Sequence, residues 1–187
     1  DHTVPQLKGI LEEELTFYGI QDGERIGEIG SGEPSFACAL TASYQNLQLY
    51  LNEVAPLALV QLRYHQLYNP MLQTNNNRVW VIEGSDKSTG LEGQKLDKVI
   101  VRNALHHFSE PEAMLQSIRL SLKPEGALFI KEKFVADCQR QCCELLLGRQ
   151  QLYNLLNGQH FEQVDSTVFQ DQLGETWWLF QYRKQVN

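Results

Sequence analysis

The sequence predicts an α/β protein: a three-layer αβα sandwich around a mostly parallel, seven-stranded sheet that closes in an antiparallel C-terminal hairpin. Three observations carry this. Segments rich in β-formers alternate with segments of helical periodicity from about residue 25 to residue 130; two glycines, Gly30 and Gly32, follow the first strand-like run; and the last two strand-like runs have no helix between them. Strands separated by helical crossovers lie parallel, with helices on both faces, whereas strands joined by a short loop pair antiparallel.

Val4, Leu7, Ile10, Leu11, Leu15 and Tyr18 fall at helical spacing, and Glu12, Glu13 and Glu14 read as the opposite, solvated side of an amphipathic helix. Gly19 and Asp22-Gly23 stop it. Arg25 to Ile29 is the first strand, leading into Gly30-Ser31-Gly32, and a helix follows from about Ser35 to Tyr44. Leu47 to Leu51 reads as strand, Leu57 to Leu72 as helix, and Arg78 to Ile82 as the third strand. After a polar loop from Gly84 to Lys95 come a strand at Val99 to Val101, a helix from Glu110 to Leu122, the turn Lys123-Pro124-Glu125-Gly126 and a strand at Ala127 to Ile130. A long helix is expected from about Gln139 to Leu156, then two strands, Phe161 to Phe169 and Thr176 to Tyr182.

At 187 residues and 42% hydrophobic side chains, the chain is expected to form one domain over residues 1–187 without a metal or disulfide staple. Its net charge of -7, with basic residues scattered, gives no footprint for nucleic acid. No apolar stretch approaches the roughly 20 residues that cross a bilayer, so no membrane partner is expected. Cys38, Cys138, Cys142 and Cys143 lack metal-site spacing and read as core thiols. The chain opens at Asp1 without Met, which leaves cytoplasm, the default, and export both open.

Ligands of such sheets bind beyond the carboxyl ends of the strands. Paired glycines after the first strand allow a sharp bend and a close backbone approach, next to a helix N-terminus that offers free N–H groups; a plain tight turn explains them equally well. Glu53 ends the second strand 21 residues after Gly32, where a carboxylate can accept both hydroxyls of a ribose or, as plainly, cap the next helix. A dinucleotide fingerprint needs glycine where Ser35 stands, after Pro34, so a pyrophosphate ligand is disfavoured.

Five segments then resemble, in order, the motifs of class I, Rossmann-like S-adenosylmethionine-dependent methyltransferases: Glu28-Ile29-Gly30-Ser31-Gly32, Leu51-Asn52-Glu53, Leu96-Asp97-Lys98-Val99-Ile100-Val101, Ala104-Leu105-His106-His107-Phe108 and Leu122-Lys123-Pro124-Glu125-Gly126-Ala127-Leu128. The closing hairpin is similar too. The resemblance implies strand order 3-2-1-4-5-7-6 and S-adenosylmethionine as cofactor. It implies Glu28, Gly30, Ser31 and Gly32 around its methionine part, Glu53 on the ribose, Ser85 or Asp86 near the adenine, and Arg102 or Asn103 at the end of the fourth strand. Asp97 looks like the family's structural acid. Two positions depart from the pattern: Pro34 replaces a third glycine and removes an N–H, and Glu125 replaces a turn glycine.

Candidates for catalysis are His106, His107 and Asn103. One histidine of the pair can serve as a base, although simple packing at a helix start explains both. Side chains about 100° apart do not share one ion, so no metal is expected. Trp178 and Phe180 should share a buried face with Trp177 opposite, and core packing is the default for all three. The acceptor is expected to be a small molecule, covered by the N-terminal helix of residues 1–22 with Phe17 and Tyr18, by the Tyr64 to Tyr68 region and by the loop after Asn103; a homodimer is allowed for. Two other readings compete: a non-catalytic S-adenosylmethionine- or S-adenosylhomocysteine-binding regulator, suggested by Pro34, and a nicotinamide oxidoreductase, opposed by Ser35 and the hairpin.

Overall fold

The computed structural model describes residues 4–137, 146–171 and 174–185. Its strands are β1 Arg25–Ile29, β2 Gln48–Glu53, β3 Arg78–Glu83, β4 Leu96–Arg102, β5 Leu122–Glu132, β6 Phe161–Gln170 and β7 Thr176–Lys184. They form one sheet in the order β3-β2-β1-β4-β5-β7-β6. β1 to β5 are parallel, and β7 runs antiparallel between β5 and β6. The α-helices among the described residues are α1 Val4–Tyr18, α2 Ser35–Ser43, α3 Pro56–Tyr68, α4 Pro111–Ser121 and α5 Arg149–Gly158.

Period-two alternation along the central strands divides the interior between the two faces of the sheet. Tyr50, Val99, Val101, Leu128 and Ile130 pack on one side with Met114, Leu115 and Ile118 of α4. Leu49, Leu51, Ile100, Ala127 and Phe129 pack on the other with Phe36 and Leu40 of α2 and with Tyr18 of α1. Both faces are thus dry, as parallel strands require.

Three expected boundaries need correction. α3 stops at Tyr68 rather than Leu72, because Pro70 has no N–H to donate and disfavours helix at the residue before it; Pro70–Gln73 continues as a 3-10 turn whose start is capped by the Asn69 side chain accepting from the Met71 N–H at 3.0 Å. Residues 138–145 lie outside the described part, including Cys138, Cys142 and Cys143. Residues 146–148 are not helical, and α5 begins only after Gly148, whose N–H is taken by the Gln151 side chain. β5 pairs earlier than expected: Leu122 meets Leu96, residues 123–126 bulge out, and pairing resumes at Ala127 with Lys98.

Asp97 ties three strands at their amino ends. One carboxylate oxygen accepts the Arg25 backbone N–H at 2.9 Å and the other binds Lys123. Against its partial burial, the Lys123 ammonium and that N–H hold the carboxyl below its usual range. Asp97→Ala should cost about 1–3 kcal/mol in urea unfolding while leaving cofactor affinity unchanged, since the residue sits at the far end of the strands from the glycine loop.

Candidate functional site

At the carboxyl end of β1 the chain bends at Gly30 (φ 69°) and again at Gly32 (φ 59°). A Cβ on Gly30 would lie 2.7 Å from the Cβ of Ala104, so only glycine lets this loop pass under the segment after β4. A Cβ on Gly32 would meet nothing within 4 Å; its outer side is open. The bend is held from β2. Gly30 and Ser31 both donate their N–H to the Asn52 carbonyl at 3.0 Å, and Gly32 donates to Glu53 Oε2 at 2.9 Å. Glu53 Oε1 accepts from Val54 and Ala55 at 2.7 and 3.0 Å.

Beside this bend lies a narrow cavity of about 50 Å³. Gly30, Glu53, Ser85, Asp86, His107 and Met114 are among its lining residues. Ser85 is fixed by a turn, its N–H donating to the Ser88 carbonyl at 2.8 Å. The loop carrying Ser85 and Asp86 is braced from below, where Asn52 Nδ2 donates to the Thr89 carbonyl at 2.7 Å. Ser31 does not line this cavity; its hydroxyl donates to the Glu28 carbonyl at 3.1 Å.

Across the loop, toward β5 and β7, a second cavity of about 340 Å³ is lined by Leu11, Glu14, Ser35, Phe36, Arg102, Lys131, Asp171 and Trp177. Glu14, only 1% exposed, is its electrostatic centre. Arg102 Nε donates to Oε2 at 3.0 Å, Lys131 Nζ donates to Oε1, and the Tyr18 hydroxyl donates to Oε2 at 3.4 Å. Arg102 lies over the Phe36 ring, 4.3 Å from its centroid, and Lys131 over Trp177 at 4.6 Å. Burial works against the Arg102 charge, but Glu14, Tyr18 and Glu28 around it raise its pKa. The expectation that Glu14 faces solvent is corrected: at 100° per residue it stands on the face of Leu11 and Tyr18, a signal present in the spacing but masked by the run of three acids.

The histidines sit on a 3-10 turn, Leu105–His107, with rings leaning together at 4.0 Å. His106 Nδ1 is 2.9 Å from Glu132 Oε2, and Glu132 Oε1 accepts the Leu105 N–H at 2.8 Å. His107 instead lines the narrow cavity; burial and the neighbouring His106 lower its pKa. Asn103 is exposed in the left-handed region (φ 52°), donates its N–H to the Lys131 carbonyl and lines neither cavity. Tyr64 and Tyr68 are also not where the sequence suggested: they touch each other on the solvent face of α3 and line neither cavity. Trp177 lines the larger cavity, whereas Trp178 and Phe180 stack against the core, so core packing holds only for that pair. No group of three or more metal-binding side chains occurs among the described residues.

The family model described as a methyltransferase domain matches residues 27–130. The chain belongs to this family. It is a class I, S-adenosylmethionine-dependent methyltransferase, with the sheet order expected of one. Among solved structures, the chain resembles a SAM-dependent methyltransferase from Aquifex aeolicus (TM-score 0.77, 16% identity, covering 92% of this chain and 88% of that one). It also resembles the [4+2]-cyclase SpnF (TM-score 0.77, 14% identity, 96% and 82% covered) and the glycopeptide N-methyltransferase MtfA complexed with sinefungin (TM-score 0.72, 13% identity, 95% and 86% covered). No curated protein matches the chain.

The methyltransferase keeps two features that suit an aminoacyl-nucleoside cofactor: the open side of Gly32, and Glu28. The latter is 4% exposed, and its Oε2 has no hydrogen-bond partner. Burial, opposed by Arg102 and Ser31, raises its pKa from 4.5 to about 7. Because the folded value lies above the unfolded one, the contribution of Glu28 to stability is complete below pH 4.5 and is lost as pH rises through 7. Unfolding free energies of wild type and Glu28→Gln, compared from pH 4.5 to 8, should diverge by about 3 kcal/mol to the disadvantage of the wild type.

Proposed function

We propose that the enzyme methylates a small molecule held in the larger cavity, with the nucleoside part of the cofactor on the opposite side of the glycine loop. The observation that carries this is the pair of cavities flanking one bend, the narrower edged by the Glu53 carboxylate and the larger walled by Phe36 and Trp177. A cavity of about 340 Å³ suits a ligand of one or two rings, and a chain of net charge -7 offers nucleic acid no purchase.

In this reading Glu53 keeps its three backbone partners and turns the remaining lone pair of Oε2 to a ribose hydroxyl. Glu28 and Gly32 face the amino-acid end, and Ser85 and Asp86 face the adenine. The exposed side chains of Val54, Asp86 and His107 turn outward to admit the base. Bound S-adenosylmethionine supplies a methyl group already activated by its positive sulfur, so the protein has to align an acceptor behind it and take a proton. The histidine that lines a cavity is His107, on the narrow side, whereas His106 lines neither and stays bound to Glu132, so neither is placed to take it from an acceptor in the larger cavity. Pro34 removes one N–H from the loop, but Ser35, Phe36 and Ala37 keep theirs in the first turn of α2.

Calorimetry with S-adenosylmethionine and S-adenosylhomocysteine should show both binding, and Glu53→Ala should weaken each by about tenfold or more; no binding of either ligand to the wild type rejects the assignment of the site.

A further inference from the structure

Nothing in the transfer chemistry requires two cations beside the acceptor, yet Arg102, partly buried, and Lys131, buried, converge there on a single carboxylate. Arg102 reaches both oxygens of Glu14, Nε at 3.0 Å and Nη2 at 3.5 Å, while Lys131 and the Tyr18 hydroxyl complete the set of donors. This is a fork-on-carboxylate arrangement, which selects two coplanar oxygens. Its donors come from β4, β5 and α1, whereas the aromatic supports come from α2 and β7, so the cations are held over the Phe36 and Trp177 rings as well as by Glu14.

We propose that the acceptor carries a carboxylate group next to a flat, apolar body, and that Arg102 and Lys131 bind this carboxylate in exchange for that of Glu14, which keeps the place in the free enzyme. The inference rests on the assignment of the larger cavity to the acceptor. Exchange of one carboxylate for another keeps Arg102 and Lys131 paired throughout, and the one group that must be resolvated or protonated is the displaced Glu14. An amine acceptor would instead add a third positive charge beside them, and a neutral one would leave Glu14 nothing to exchange with. Glu14 itself lines the cavity, so its side chain has space to turn into when it is displaced. Leu11, Phe36 and Trp177 then face the ring of the acceptor.

The test follows the indole N–H resonance of Trp177, identified by its loss in Trp177→Phe, while the full-length protein is titrated with benzoate, benzamide and benzylamine. Benzoate should shift it saturably, with benzamide and benzylamine weaker by about tenfold or more. Arg102→Met and Lys131→Met should each weaken benzoate by about tenfold or more, and Glu14→Gln should strengthen it, because a neutral amide competes poorly for the cations. Failure of benzoate to bind the wild type, or binding equal to that of benzamide, overturns the proposal. S-adenosylmethionine and 5′-methylthioadenosine, which lacks the amino-acid carboxylate, supply the other arm. If Arg102→Met weakens only the former, the cations serve the cofactor's own carboxylate and the proposal falls, while the methyltransferase site stands. Conversely, benzoate binding in a protein that binds neither nucleoside would uphold an anion pocket and reject the site proposed above.

Discussion

The end of β2 governs the glycine loop. A bend with two residues in the left-handed region has backbone N–H groups that the sheet cannot satisfy, and Asn52 and Glu53 take three of them in succession. The same two residues do more than close the turn. The Asn52 side chain reaches the Thr89 carbonyl and so sets the distance between the glycine loop and the loop of Ser85 and Asp86. Glu53 binds the start of the segment leading to α3. The narrow cavity is therefore shaped by hydrogen bonds made to backbone, which are indifferent to most side-chain identities around them. This explains how a chain 12–16% identical to its structural neighbours can share their fold.

The larger cavity is built on a different principle. There the shaping groups are charges, Glu14, Arg102, Lys131 and Asp171, brought together from α1, β4, β5 and the start of the β6–β7 connection. Buried charges are tolerated only in pairs or larger neutral sets, so the fold and the chemistry of this pocket are coupled: α1 stays docked because its carboxylate neutralises two strand-end cations. Burial lowers the pKa of Lys131, and Glu14 works in the opposite direction. Phe17 and Tyr18, both edge-on to Phe129, with Tyr18 also edge-on to Phe36, anchor the same helix one turn further on. The helix α1 is thus fixed at its C-terminal end and electrostatically latched in its middle.

Much of this was legible in the residues alone. The alternation of period-two and helical segments and the hairpin determined the layered, mostly parallel sheet, because handedness and connectivity leave few other solutions; the strand order followed from the family resemblance. Glu53 and Gly32 were readable as neighbours from their spacing in a βαβ unit, and the structure brings them into direct contact. Boundaries were less legible: the break at Pro70 and the start of α5 after Gly148 depend on capping groups that compete locally with helical periodicity.

What only the tertiary structure decided were the partners that lie far apart in the chain. Glu132 meets His106 across 26 residues, and Glu14 meets Lys131 across 117. Periodicity reports which face a residue occupies, but it says nothing of which other face that one will meet. The backbone pattern of this protein is local and so is written in its sequence, whereas the pairing of its buried charges is a property of packed surfaces and exists only once α1 lies against the ends of β4 and β5.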